Sequence, residues 1–343
     1  MTETLIKPSS APPAQRVLTG LLRSREIAVL IVLVALIALA TAKSSSFLVG
    51  SDGWRDLLVT PSILLLLAVG QTLVIVTRNV DLSVGSTLGL TAYLTGRLFV
   101  DVPGIPIVVV FLAGIAFGAV LGLVNGVLVA FGRVPALVIT LGTLYIYRGI
   151  FLEWAGSDRI NPSDLPGGFL SLGTRQILSL PVLTLIALLV LAAVGYYLHT
   201  ARGGRELYAI GSDPEAAKLY GLNVTKRVLW AFVVCGALAG LAGVFYAARY
   251  GSVSSGAGRN LELEAVAAAV IGGVAIFGGS GTVWGAAIGA VLLVTINRAL
   301  PILGIPDFWQ RAVVGGLIIG AVVLDRVLSA RRERKLIEAR EES

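Results

Sequence analysis

Six polar side chains lie within or beside long apolar stretches of this sequence, where they could form hydrogen bonds. They are Gln71, Thr72, Asp81, Ser83, Asn125 and Asn297. Amide and hydroxyl groups in such surroundings suit a hydroxylated solute, but they also join neighbouring helices to one another. Asp81 follows Arg78 by three residues, so the two side chains could pair at a helix entrance. Alternatively, Asp81 stabilises the N-terminus of the helix that follows it.

A compact helix signal lies between two apolar stretches, within ARGGRELYAIGSDPEAAKLYGLNVTKR at 201–227. Asp213 can cap a helix, Pro214 suits the first helical position, and Glu215 lies in the first turn. Gly221 then predicts a left-handed stop. A helix of about two turns is too short to be stable alone in water, so we expect it to dock into a groove on a soluble partner. A solvated loop that happens to be helical is the alternative.

The composition excludes a soluble protein. Hydrophobic residues make up 56% of the chain and charged residues 14%, whereas about a quarter of a soluble domain is charged. The net charge of +7 lies mainly in predicted tails and loops, where it reports topology and not nucleic-acid binding. A single histidine and a single cysteine exclude a His/Cys metal site and a disulfide framework.

Apolar runs of about 20 residues predict an all-α, polytopic membrane protein with about ten transmembrane helices. The predicted spans are 27–42, 57–77, 84–100, 106–131, 134–153, 177–198, 229–248, 263–277, 283–300 and 310–325. Lys and Arg in short loops indicate the cytoplasmic side; they place the tail 1–26, the loop 199–228 and the tail 326–343 there. Both termini are therefore expected in the cytoplasm. The first apolar run is interpreted as a retained helix of the membrane domain 27–325, because no cleavage site follows it.

Two polar or glycine-rich segments interrupt this pattern, TRNVDLSVGS at 77–86 and FGGSGTVWG at 277–285. Irregular backbone at membrane depth is tolerated only where it is buried in protein or lines a cavity, and paired interruptions point to the substrate path of a transporter. We therefore predict that glycines of both segments line such a path with the six polar residues, whether the segments are re-entrant or cytoplasmic turns. Those glycines are Gly85, Gly278, Gly279 and Gly281.

One predicted span carries a stripe of glycines. Gly114, Gly118, Gly122 and Gly126 repeat at every fourth residue and therefore share one helix face. Small residues at this spacing predict close packing against a neighbouring helix.

Four ordered blocks of the sequence resemble a known family. They are GQTLVIVTRNVDLSVGS (70–86), NGVLVAFGRVPALVITLGTLYIYRGI (125–150), GRELYAIGSDPEAAKLYGLNV (204–224) and LEAVAAAVIGGVAIFGGSGTVWGAAIGA (263–290). Together they resemble permease subunits of bacterial ABC sugar importers, in the ribose, xylose, rhamnose and autoinducer-2 branch of the branched-chain amino-acid/monosaccharide permease family. EAAKLYG at 215–221 resembles the EAA-x3-G core of the cytoplasmic loop of such permeases, although the rest of that motif is not recognisable.

The resemblance implies a transporter subunit, not an enzyme, in the bacterial cytoplasmic membrane. The expected partners are a cytosolic ABC ATPase, an extracytoplasmic sugar-binding protein, a second permease chain that is identical or related, and the lipid bilayer, with no nucleic acid. The sequence has no Walker lysine motif, so the partner would bind ATP and this chain would need no cofactor or metal.

The resemblance also implies a monosaccharide-like solute of the rhamnose, ribose/xylose or autoinducer-2 type. ATPase coupling would fall to the short helix and its boundaries, with the small side chains close to the partner surface. The residues concerned are Asp213, Pro214, Glu215, Ala216, Ala217 and Gly221. The alternative function is a secondary, ion-coupled sugar transporter or a facilitator that works without an ATPase.

Overall fold

Helices form wherever the sequence carries long apolar runs, because a segment inside a bilayer must satisfy its backbone groups internally. The computed structural model describes residues 25–49, 53–132 and 134–306, with scattered positions between 308 and 323. The predicted tail 326–343 and nearly all of the tail 1–26 lie outside the described residues.

The regular secondary structure of the described residues is helical apart from one hairpin of two short antiparallel strands, so the predicted all-α class is confirmed. The strands are β1 (Gln176–Ile177) and β2 (Leu180–Pro181). The helices are α1 (Arg25–Lys43), α2 (Gly53–Ile75), α3 (Val84–Asp101), α4 (Ile107–Gly132), α5 (Ala136–Ala155), α6 (Gly167–Ser171), α7 (Val182–Thr200), α8 (Arg202–Ser212), α9 (Pro214–Leu219), α10 (Val224–Tyr250), α11 (Leu261–Ile271) and α12 (Val283–Ile302). Short 3-10 turns lie at Ser45–Phe47 and Pro162–Asp164.

Nine of the ten predicted spans coincide with a helix, while most of 310–325 lies outside the described residues. Seven of the described helices are long and apolar enough to cross a membrane, namely α1, α2, α4, α5, α7, α10 and α12. The chain is thus a polytopic membrane protein. The total of about ten spans and the cytoplasmic location of both termini stay predictions.

The two remaining helices differ from ordinary spans for physical reasons. α3 is buried along most of its length, so other helices surround it and it needs no lipid-facing apolar side. α11 has 11 residues and is therefore about 16 Å long, roughly half the thickness of a bilayer core. The predicted span 263–277 is too long at its end, because irregular backbone follows Ile271.

α4 and α10 pack backbone against backbone. A Cβ on Gly118 would clash with the carbonyl oxygen of Gly236, and a Cβ on Gly236 would clash with that of Gly118. A Cβ on Gly122 would likewise lie 3.0 Å from the Cα of Gly236. The close packing predicted from the glycine stripe is confirmed, and we call this contact the seam.

Polar contacts distinguish the two ends of the bundle. At the end that carries segment 201–223, which we call the inner end, Thr282 donates a hydrogen bond to Glu26 over 2.5 Å. At the opposite, outer end, Arg298 donates to the carbonyl oxygen of Gly53 over 2.7 Å. The N-terminal ends of α1 and α12 therefore lie at the inner end, together with the loop 199–228 that was predicted to be cytoplasmic.

Candidate coupling and translocation site

Three segments that are far apart in the sequence meet at the inner end, at 76–78, 211–212 and 278–279. We call this contact the inner junction. The backbone N–H of Gly279 donates to the carbonyl oxygen of Val76 over 3.0 Å. The junction therefore joins both predicted interruptions to the C-terminal end of α8, directly before the short helix α9.

Arg78 provides the side-chain contacts of the inner junction. Its Nε donates to the carbonyl oxygen of Gly211 over 2.6 Å, and its Nη2 donates to that of Ser212 over 2.5 Å. Both acceptors are carbonyls at a helix C-terminus, where a cation is favoured. The hypothesis that Arg78 pairs with Asp81 is wrong, because the guanidinium is directed to α8 instead.

Glycines leave no spare room at the inner junction. A Cβ on Gly211 would collide with the carbonyl oxygen of Val76 and with the backbone nitrogen of Gly279. Gly278 and Gly279 have φ values of 81° and 76°, in the left-handed region that side chains disfavour. Arg78 itself has a φ of 65°, which costs a residue with a Cβ roughly 1–2 kcal/mol. Its two hydrogen bonds offset this strain.

The helix α9 forms as its sequence predicts. Oδ1 of Asp213 accepts hydrogen bonds from the backbone N–H groups of Glu215 and Ala216, each over 3.0 Å. Pro214 occupies the first turn, and Gly221 has a φ of 78°. The predicted cap and the predicted left-handed stop are both confirmed.

The exposed face of α9 differs from the predicted one. Ala217 is buried, at 5% exposure, because α9 packs on α8 and α10. The prediction that Ala217 presents its side chain to a partner is therefore wrong. Leu219 and Tyr220 are instead 88% and 87% exposed. Sequence reasoning missed them, although two large apolar residues at the end of a capped helix were a readable signal.

α8 links the inner junction to the neighbouring helices. The carboxylate of Glu206 accepts hydrogen bonds from Arg202 over 2.8 Å and from Arg227 over 2.5 Å. Burial raises the pKa of Glu206, but the hydrogen bonds and charges of Arg227 and Arg202 outweigh it and hold the pKa below its ordinary value. The hydroxyl of Tyr208 donates to the carbonyl oxygen of Gly281 over 2.9 Å. α8 is therefore fixed both to α10 and to the second interruption.

Four of the predicted path residues form a buried hydrogen-bond network. Gln71 hydrogen-bonds the backbone of Asp81. Oδ1 of Asp81 accepts from the backbone N–H and the hydroxyl of Ser83 over 2.9 and 2.7 Å. Nδ2 of Asn125 donates to Oγ of Ser83 over 2.7 Å. The hydroxyl of Tyr147 completes the network with a 3.3 Å hydrogen bond to Oδ1 of Asn125.

This network fixes the first interruption to α2, α4 and α5. Gln71, Asp81, Ser83 and Asn125 are all at most 1% exposed, and their groups bind one another. Tyr147 was missed, because nothing in the sequence distinguishes it from the other tyrosines of the apolar runs. The arrangement favours the helix-joining interpretation of these residues, and their place on a solute path stays a prediction.

The other predicted path residues lie elsewhere. The hydroxyl of Thr72 donates to the carbonyl oxygen of Ala68 within its own helix, over 2.8 Å. Gly85 packs against Gly258 and Glu262 with no room for a Cβ. Asn297 faces a cavity at the outer end. Gly278 and Gly279 therefore lie at the inner junction and four candidates form the buried network, whereas Thr72, Gly85, Gly281 and Asn297 lie at four separate places.

No group of three or more His, Cys, Asp or Glu side chains within the described residues is placed to hold a metal ion. Long apolar helices, a short interrupted helix and an amphipathic segment at one end define a multi-pass membrane protein of the permease class. The chain belongs to the family described as "Branched-chain amino acid transport system / permease component", whose model matches residues 54–322.

Relatives confirm the resemblance to ABC sugar-importer permeases and the location in the bacterial inner membrane. The autoinducer 2 import system permease protein LsrC of Salmonella typhimurium (strain LT2) is 36% identical over 313 residues, which cover 91% of this chain and 89% of the relative. The LsrC of Klebsiella pneumoniae is 37% identical over 319 residues, or 92% and 91% of the two chains. The LsrC of Yersinia pseudotuberculosis is 37% identical over 274 residues, or 80% and 77%. No solved structure shows a significant match to this chain.

Proposed function

We propose that this chain is the membrane-spanning subunit of an ATP-driven importer that carries an autoinducer-2-like or monosaccharide-like solute into the cell. The relatives' name and the four sequence blocks support the solute class. The observation that carries the coupling mechanism is the pair of hydrogen bonds from Arg78 to Gly211 and Ser212. These bonds connect the base of α9 to the first interruption between membrane helices.

In this mechanism α9 is the contact with a separate cytosolic ATPase. Its Asp213 cap and the Gly221 stop keep it short, and its exposed Leu219 and Tyr220 supply the surface that a partner cleft would cover. Burial of two such side chains contributes roughly 1.5–3 kcal/mol each. Because Ala217 is packed inside the chain, α9 cannot shift without moving α8 and α10.

Movement of α9 would then reach the membrane helices through the inner junction. A backbone contact that has no spare room transmits displacement instead of absorbing it. Rigid-body rocking of the helices would alternate access to the two membrane sides. The other partners we propose are an extracytoplasmic solute-binding protein and a second permease chain, and ATP would be bound by the ATPase.

A secondary transporter or facilitator is the competing function. Ion-coupled transport favours ionisable groups that can exchange protons or ions within the membrane. The carboxylate of Asp81 is instead occupied by Ser83 and Asn125, so this group offers no free site for a coupling ion.

Reconstitution of the full chain with its candidate ATPase and binding protein tests the proposal. The Leu219→Ala, Tyr220→Ala double variant should insert normally but lose the ATPase on co-purification, and ATP-dependent uptake should fall with it. Leu189→Ala is the matched control, because Leu189 is 71% exposed on the membrane helix α7. Uptake by the wild type at an undiminished rate without ATP would refute the ATP-driven function.

A further inference from the structure

The outer end holds a cavity of about 450 Å³ between α2, α10, α11 and α12. This volume lies in the range of roughly 300–1,000 Å³ that is typical of small-molecule sites. Its polar lining comes from all four helices. The residues used below are Asp56, Thr60, Tyr246, Tyr250, Glu264 and Asn297.

Charged groups of both signs lie around the cavity. Two carboxylates, of Asp56 and Glu264, and two guanidinium groups, of Arg259 and Arg298, line it. Asp56 also accepts a hydrogen bond from Arg249 over 2.6 Å, and Asn297 lines the same cavity as Glu264. Groups of both signs favour a neutral ligand, because an ion of either sign would lie beside a group of like charge.

Hydroxyl groups supply further contacts. Within the part of the chain that the structure describes, no protein group pairs with the hydroxyls of Thr60, Tyr246 and Tyr250. The rings of Tyr246 and Tyr250 pack together at 4.6 Å between centroids and hold both hydroxyls at the same wall. Each hydroxyl can donate one hydrogen bond and accept others, as the hydroxyls of a small polyol do.

The cavity also reaches the start of the interrupted helix. Leu261, the first residue of α11, and the preceding Gly258 belong to its lining. Since α11 is about half the length of a span, the floor of the cavity lies well inside the membrane. Interrupted helices of this kind surround solute sites in other transporters.

We propose that this outer cavity receives a neutral, hydroxylated solute of monosaccharide size on its way into the membrane. The proposal rests on the proposed import function and assigns a place to the solute on the extracytoplasmic side. The buried network around Asp81 then belongs to the scaffold, and Asn297 is the one predicted path residue that contacts the solute.

Thiol protection tests the site directly. Val294→Cys places a thiol in the lining, and the native Cys235 is buried at 1% exposure, so it need not be removed. Spheroplasts that carry the full transporter are labelled from outside with a charged thiol reagent. Autoinducer 2, ribose or rhamnose should slow labelling by about half when its concentration equals Kd. Labelling of the control Thr174→Cys, in an exposed outer loop, should not change.

The hydroxyls are tested by the Tyr246→Phe, Tyr250→Phe double variant. We expect the solute concentration that gives half-protection to rise by about tenfold. Tyr196→Phe is the matched control, because Tyr196 is exposed on α7, away from the cavity. Leucine, which is a zwitterion, should not protect. The proposal would be overturned if none of the three solutes slowed labelling. It would also be overturned if solute-free binding protein slowed labelling to the same extent. The measurement needs no ATP, so failure of ATP-driven uptake is a separate result that concerns only the proposed function.

Discussion

The inner junction and the outer cavity both bring polar groups together in an apolar protein, but they are built in opposite ways. At the junction, backbone contacts backbone, glycines exclude side chains, and the cation of Arg78 is occupied by two carbonyls. At the cavity, side chains surround about 450 Å³ of space and several hydroxyls have no partner among the described residues. In the proposed mechanism, the tight packing of the junction transmits movement, whereas the open space of the cavity binds the solute.

Gly211→Ala gives the largest expected effect, because its methyl group would collide with the backbones of Val76 and Gly279. Overpacking of this kind costs roughly 1–3 kcal/mol or more. We expect a lower thermal midpoint of the purified protein and loss of uptake. Gly149→Ala is the control: it has open space around it and should stabilise α5 by roughly 0.5–1 kcal/mol. Equal stability of the two variants would show that the junction has spare room.

Arg78→Gly separates stability from coupling at the same place. The variant relieves the left-handed strain of φ 65° but removes both hydrogen bonds to α8. We expect nearly unchanged unfolding, retained ATPase binding, and ATP hydrolysis that no longer drives uptake. Arg97→Ala, at an exposed ion pair with Asp101, should transport normally. Full uptake by the glycine variant would remove Arg78 from the coupling mechanism.

Asp81→Asn distinguishes the buried network from the solute path. The amide keeps the shape of the carboxylate but supplies one acceptor fewer to Ser83 and Asn125. A buried polar group without its partner costs roughly 1–3 kcal/mol, so the unfolding midpoint should fall while the preference among solutes is unchanged. The control is Asp101→Asn at an exposed position. If the variant had an altered preference for ribose over rhamnose, Asp81 would instead be assigned to the solute path.

The substitution of Glu206 is expected to have the smallest effect on stability, and this effect depends on pH. Because the pKa of Glu206 is lowered on folding, its ionised form stabilises α8 above the ordinary pKa of 4.5, and this stabilisation is lost as the pH falls through the folded pKa. At neutral pH, we expect the Glu206→Gln variant to be cleaved by a protease within 201–227 faster than the wild type. Its cleavage rate should also change less than that of the wild type as the pH is lowered. Glu215→Gln, at an exposed pair with Lys218, should match the wild type.

Local signals were read correctly from the sequence. The cap at Asp213, the stop at Gly221 and the glycine stripe of α4 each depend on neighbouring residues or on one helical repeat. The partner of Arg78 could not be predicted in this way, because it lies 133 residues further along the chain. The buried side of α9 was misjudged for the same reason, since the packing on α8 and α10 decides it.

Burial also explains why some membrane helices are easier to recognise from their composition than others. α4 and α7 are apolar enough to be recognised by composition. α3 carries polar residues that lipid would not tolerate, and only its surroundings of other helices make it stable. The outer cavity could not be predicted from sequence, because Asp56, Tyr250 and Asn297 come from three distant helices.

The seam between α4 and α10 has a consequence for how this protein can change by mutation. When a side chain in an ordinary core grows, a facing residue can become smaller and restore the fit. Gly118 and Gly236 already face each other without side chains, so no second mutation can make space at this contact. Neither glycine of the seam can therefore be replaced by a larger residue through successive single mutations. We expect substitutions to accumulate on the sides of α4 and α10 that face away from the seam.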